Sequence, residues 1–236
     1  MPERHGVPKL QTLSDGGKSE DRQPNMSIRV SIASEAPAHS AITPRQAGWL
    51  LGLLIAALVL LSWGGESWRL GLRYERDAVL SGEYWRLVTG HLVHGSTQHL
   101  LLNGAGLGLI AALFPRDYSL RGWLLIGLLS IAFIGVGFVF YEPQLQWYVG
   151  FSGVLHGALA AGAIKWWRSE SRALALTLTV FFVGKLLWEQ LHGALPLSGD
   201  LPVVVDAHLY GALGGAVAAG ILWLSEHYWS FGRRSL

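Results

Sequence analysis

The chain has 236 residues, of which 51 % are hydrophobic and only 14 % charged, against roughly a quarter charged in soluble globular domains. The charges are clustered and leave long uncharged runs, which excludes an ordinary water-exposed domain and points to lipid. A formal net charge of +2 is too small to argue for a nucleic-acid partner. The absence of cysteine excludes disulfides, thiolate metal sites and a cysteine nucleophile.

Residues 1–44 are rich in Ser, Pro, Gly and charge and lack a sustained period. They read as a disordered leader, too polar for a secretory signal, with Met26 as an alternative start. A membrane domain is expected over residues 45–226, then a short basic tail over 227–236 that carries Arg233 and Arg234. The first uncharged run, Gln46 to Trp63, comes close to the ~20 apolar residues that cross a bilayer. Gly64 to Tyr84 is mixed and Trp-containing, and reads as a segment lying in the interface. A second span is expected from Trp85 to Phe114, with His91, His94, Gln98, His99 and Asn103 in its first half and Pro115 stopping it. The third runs from Gly122 to Tyr141 and the fourth from Ser152 to Arg168. The fifth, Ala173 to Leu191, carries Lys185 and Glu189, and the sixth, Val203 to Leu224, opens with Asp206-Ala207-His208. The reading is an all-α polytopic membrane protein of six helices.

The loops at 141–150 and 192–204 contain no Lys or Arg, whereas Arg116, Arg121, Lys165, Arg168 and Arg172 mark the other side. By the positive-inside rule both termini are cytoplasmic, although four arginines between the first span and the start of the second, Arg69 to Arg86, break the pattern. Ser152, His208 and the histidine-rich start of the second span then share the outer face.

Ionisable groups inside membrane spans are costly and usually functional. Ser152 stands between Gly150 and Gly153 at the mouth of the fourth span, where glycines permit unusual backbone conformations and close approaches. A serine at a helix N-terminus lies beside free N–H groups that can stabilise an oxyanion at its own acyl carbon. A nucleophilic serine needs a base in hydrogen-bond reach. His208 fits best, because it shares a face with Gly211 and Gly215, the spacing that lets two membrane helices approach closely. The fourth span offers a matching face in Gly153 and Gly157. The plain alternative is a packing pair with an incidental histidine. His99 and Asn103, four apart, are competent oxyanion donors on one face of the second span, joined by the Ser152 backbone N–H. His94 and Ser96 sit just outside them, placed to hold water. Lys185 and Glu189 form an i,i+4 pair whose mutual neutralisation lowers the cost of burial, and they read as structural. Asp206 lies two residues before His208 and points elsewhere on a helix, so no triad is expected.

On these residues the chain resembles the rhomboid family of intramembrane serine proteases. Trp85-Arg86 is similar to the family's first outer loop. His94-x4-His99-x3-Asn103 is similar to its second span, Gly150-Phe151-Ser152-Gly153 to its Gly-x-Ser-Gly, and Ala207-His208-x2-Gly211-x3-Gly215 to its sixth span. The run from Gly150 through His156 to Gly157 resembles the signature of one subfamily, the rhombosortases. The resemblance implies a Ser152–His208 dyad working through an acyl-enzyme, without metal or cofactor, at the outer face of a bacterial inner membrane. It also implies substrates that are membrane-anchored proteins bearing a C-terminal Gly-Gly motif, a transmembrane helix and a basic tail. Phe151 stands where many rhomboids have a small residue, which implies a different substrate pocket. Two other readings compete: a catalytically silent rhomboid-like protein that binds or escorts membrane clients, and a metal or haem protein using His91, His94, His99 and His208.

Overall fold

The computed structural model describes residues 44–195 and 203–232. The expected leader up to residue 43 and the last four residues of the expected tail lie outside the described residues.

Helix α1, Pro44–Trp63, is the first apolar run. Gly64 and the positive φ of Gly65 turn the chain into α2, Gly65–Leu72, bent 111° from α1. A two-residue strand β1, Tyr74–Glu75, and two short helices, α3 Arg76–Leu80 and α4 Arg86–Thr89, complete this connection.

The second span is shorter than its expected extent from Trp85. Helix α5 covers only Thr97–Leu113, because Ser96 caps it: the Ser96 hydroxyl accepts from the His99 amide at 3.1 Å. His91 and His94 therefore sit on the irregular approach to the helix rather than within it. Helix α6, Leu120–Phe140, starts at an equivalent cap from Ser119. Strand β2, Trp147–Tyr148, pairs antiparallel with β1, with Tyr74 opposite Tyr148 and Glu75 opposite Trp147. Helices α7, Ser152–Ser169, and α8, Arg172–His192, follow, the latter capped by Ser171. Helix α9, Val205–Gly232, continues past residue 226 into the stretch expected to be tail.

Among the described residues α6, α8 and α9 (over Val205–His227) are long and apolar enough to cross a bilayer, and α1 with α2 makes a fourth if the bent pair is one broken span. Helix α5, at 17 residues, is apolar but shorter. Helix α7 is a different case. Its glycines and alanines face protein, nine of its residues from Gly153 to Ala163 being buried, and these small residues at the helix contact hold its hydropathy down. On the outside, Trp49, Leu53, Leu60, Val180, Phe181 and Leu191 are exposed, as lipid-facing residues are.

The core is the contact between α7 and α9. Cβ atoms added at Gly211 and Gly215 would land on the carbonyl oxygens of Gly153 and Gly157, and one at Gly153 would sit 2.8 Å from the Ala207 carbonyl oxygen. These four glycines let two backbones touch, as their spacing suggests. A second cluster, Tyr74, Phe138, Tyr148 and Ile134, joins the β1–β2 ladder to α6.

The four arginines that break the charge pattern are all engaged. Arg69 pairs with Glu66 and donates to the Gly95 carbonyl at 3.2 Å. Arg73 donates to Glu75 at 2.6 Å and stacks over Trp147. Arg76 donates to the Phe138 and Val139 carbonyls at 2.9 and 3.1 Å, closing the C-terminal turn of α6. Arg86 holds Glu83 and the carbonyls of Leu70 and Arg73.

Candidate active site

Helices α5, α7 and α9 each begin at the same end of the bundle, and their first turns carry the polar residues singled out above. The loop leading to Ser152 is tied down on two sides. The Gly150 amide donates to the Gly90 carbonyl at 3.0 Å, and the Tyr148 hydroxyl donates to the Gly150 carbonyl at 2.7 Å. Gly150 itself has φ +121°, in the left-handed region, and a Cβ there would lie 2.5 Å from His99 Cε1 and 2.6 Å from its Nε2. Both backbone and space thus demand glycine two residues before the serine, and His99 is held against that loop.

Ser152 is the first residue of α7, so it stands among amides that have no preceding turn to bond. Its Oγ lies 2.9 Å from Nε2 of His208, which is 4 % exposed. The close backbone contact at Gly153, Gly211 and Ala207 brings these side chains together from positions 56 residues apart. Asn103 is 3 % exposed, and its Nδ2 has no hydrogen-bond partner among the described residues. A buried, unpartnered amide donor is rare, and here it shares a helix face with His99. His94 bonds through Nδ1 to Ser62 Oγ at 3.0 Å and packs edge-on against His99, while its Nε2 is buried without a partner among the described residues. Ser96, grouped with His94 as a water holder, is occupied in capping α5. A cavity of about 520 Å³ opens beside the site, lined by His99, Val149, Trp147, Arg69 and Arg73. Phe151 is buried in the core with Leu58, Ile110 and Val154 and does not line that cavity.

One partner was not foreseen from the sequence. Nδ1 of His208 lies 3.0 Å from Oε2 of Glu189 on α8, a carboxylate only 3 % exposed. Asp206, the nearest acid in the chain, is not the group that His208 meets. The same Glu189 oxygen is 2.7 Å from Nζ of Lys185, as the i,i+4 spacing implies, but Lys185 Nζ is also 2.7 Å from Nε2 of His156. Nδ1 of His156 in turn lies 2.7 Å from the Ser152 carbonyl oxygen, and its ring stacks on that of His208 at 3.9 Å. The signal for this was in the chain: a charged pair in the fifth span and a histidine four residues after the serine.

The four histidines considered as metal or haem ligands are not gathered. His91 packs on Tyr148, and His208 is engaged by Ser152 and Glu189. His156, Glu189 and His208 do bring their ligand-capable atoms within 4.8 Å of one another. The Lys185 ammonium already stands against two of the three, so an added cation would have to displace it.

A helical membrane bundle that presses a serine hydroxyl against a buried imidazole is the class these contacts define. The chain belongs to the rhomboid family: the family's Rhomboid domain matches residues 81–225. It is also similar to YdcA of Bacillus subtilis (strain 168), a protein named as a candidate rhomboid protease, at 32 % identity over 109 residues. That match takes in 46 % of this chain and spans about half of the relative, 52 % of its length.

Proposed function

We propose that the chain is an intramembrane serine endopeptidase of the rhombosortase type. The observation that carries this reading is the 2.9 Å pairing of Ser152 Oγ with His208 Nε2 inside a glycine-lined helix contact. His208 takes the serine proton as Oγ attacks the scissile carbonyl, giving an acyl-enzyme, and then protonates the leaving amine. The Ser152 backbone amide, the Asn103 amide and the His99 imidazole are the donors for the oxyanion. Water entering beside His94 completes hydrolysis; an amine in its place would give a transfer product.

The proposed substrates are membrane proteins with a C-terminal Gly-Gly motif, a transmembrane helix and a basic tail, since residues 150–157 resemble the rhombosortase signature through His156 and Gly157. The membrane domain, residues 45–226, is proposed to form six spans in a bacterial inner membrane, with both termini cytoplasmic and the site toward the periplasm. The loops free of Lys and Arg support this orientation. So does the engagement of all four arginines after α1 in local pairs and helix-capping contacts.

Two measurements test the reading. Ser152→Ala is expected to abolish cleavage of a Gly-Gly-anchored reporter while the protein still inserts, and a fluorophosphonate probe is expected to label only when Ser152 and His208 are both present. Reporter cleavage unchanged in Ser152→Ala would refute the protease and leave the client-binding reading.

A further inference from the structure

We infer that Glu189 is a positioning residue for His208, making the proton-transfer unit a Ser152–His208–Glu189 relay braced by Lys185 and His156. This rests on the serine-protease reading above.

An ionised carboxylate only accepts, and an ammonium only donates. Glu189 Oε2 faces two groups, Lys185 Nζ and His208 Nδ1, at 2.7 and 3.0 Å. His208 must therefore carry its proton on Nδ1, and Nε2 turns its lone pair to the Ser152 hydroxyl at 2.9 Å. That is the tautomer a general base needs. Lys185 also donates to His156 Nε2, so His156 carries its own proton on Nδ1 and donates it to the Ser152 carbonyl. The ring closes: five side chains from α7, α8 and α9 fix two tautomers and orient one hydroxyl. His156, stacked within 13° of parallel on His208, blocks rotation of the base ring, which gives the histidine four residues after the serine a task.

The Lys185 ammonium supplies the countercharge without which a carboxylate with 3 % exposure would be prohibitive. Glu189 cannot be a simple lipid-side ion pair, because its second acceptor role points into the site. In the chemical step the Oγ–H bond breaks, Nε2–H and Oγ–C bonds form, and the carbonyl electron pair moves to oxygen. The imidazolium so made lies between the carboxylate and the oxyanion, and Glu189 stabilises it without taking the proton.

The test uses the full chain in detergent or nanodiscs. Glu189→Gln keeps the shape, but its amide can donate to Nδ1 and select the wrong tautomer. Its Ser152 labelling rate and reporter kcat are expected to fall by roughly 10²–10⁴-fold, the range seen when the carboxylate of a Ser-His-Asp triad is amidated or when a general base is impaired. KM should stay within about twofold, and Glu189→Asp should recover part of the rate. Nitrogen-15 NMR of histidine-labelled protein supplies a readout that packing alone does not move. Wild-type His208 is expected as the Nδ1–H tautomer, shifting toward Nε2–H in Glu189→Gln. Labelling of Glu189→Gln at the wild-type rate, or a wild-type His208 protonated on Nε2, would overturn the inference. If Glu189→Gln fails to fold, the wild-type spectrum alone decides. If wild type and Ser152→Ala both resist labelling and cleavage, the protease reading fails, while the His208 tautomer still judges the role of Glu189.

Discussion

The contact between α7 and α9 permits a quantitative test, because Gly211 abuts backbone rather than a yielding side chain. In Gly211→Ala the new Cβ would fall on the Gly153 carbonyl oxygen and 2.7 Å from its carbonyl carbon. Carbon atoms prefer about 3.5 Å or more and the contact with the oxygen is tighter still, so the helices must part by at least roughly 0.8 Å or one must rotate. Gly153 follows the serine directly, and Gly211 lies less than one turn beyond His208. Passed on in full, that displacement takes the Oγ–Nε2 separation from 2.9 Å to roughly 3.7 Å or beyond, outside hydrogen-bond range. A misplacement of about 1 Å costs on the order of 10²-fold in rate. Gly211→Ala is therefore expected to slow fluorophosphonate labelling of Ser152 about a hundredfold while the protein still inserts. Gly220→Ala is the control: it lies on the same helix with nothing within 4 Å of its Cβ. It should leave labelling unchanged and stabilise by up to ~1 kcal/mol through helix propensity. Equal labelling rates for Gly211→Ala and wild type would refute the claim that close backbone contact sets the pair.

Other residues give sharper separations of activity from stability. Asn103→Ala removes a donor with no partner among the described residues, so turnover should fall about 10²–10³-fold with the thermal midpoint unchanged or raised; a lowered midpoint with intact turnover would assign Asn103 to packing. Gly150→Ala meets both a φ of +121° and the His99 ring, and reporter cleavage should drop at least tenfold, with His99→Ala/Gly150→Ala still slower than His99→Ala alone, because removing the ring leaves the backbone strain in place. Arg76→Met strips two charge-assisted bonds from the end of α6, worth about 1.5–3 kcal/mol each at most, and should lower the midpoint in detergent without altering the labelling rate per folded molecule.

What the sequence conveyed was periodicity along each helix, and it was enough to anticipate the contact of Ser152 with His208 and the facing glycines. Apolar run lengths located α1, α6 and α8 to within two residues at each end, because predominantly apolar stretches bounded by polar and charged turns leave little freedom. The start of α5 departs from the expected Trp85 for a physical reason. Apolar residues around His91 and His94 mimic a helix face, but Ser96 supplies a cap that favours starting at Thr97. Helix α7 shows the converse: its composition falls short of lipid-grade because its neighbours are protein.

The azimuth of each helix about its own axis is what one sequence cannot convey, and the carboxylate depends on it. Lys185 and Glu189 were legible as a pair, and two buried charges that neutralise each other look self-sufficient. Yet a pair that only neutralises itself leaves lone pairs and protons over. Glu189 has acceptor capacity to spare and Lys185 two donors, and burial makes leaving them unmet costly. Two of these surplus valences fall to His208 and His156. Wherever a membrane helix buries an acid and a base one turn apart, the remaining hydrogen-bond capacity is the reason to search the facing helices for histidines. Here that search ends at Ser152.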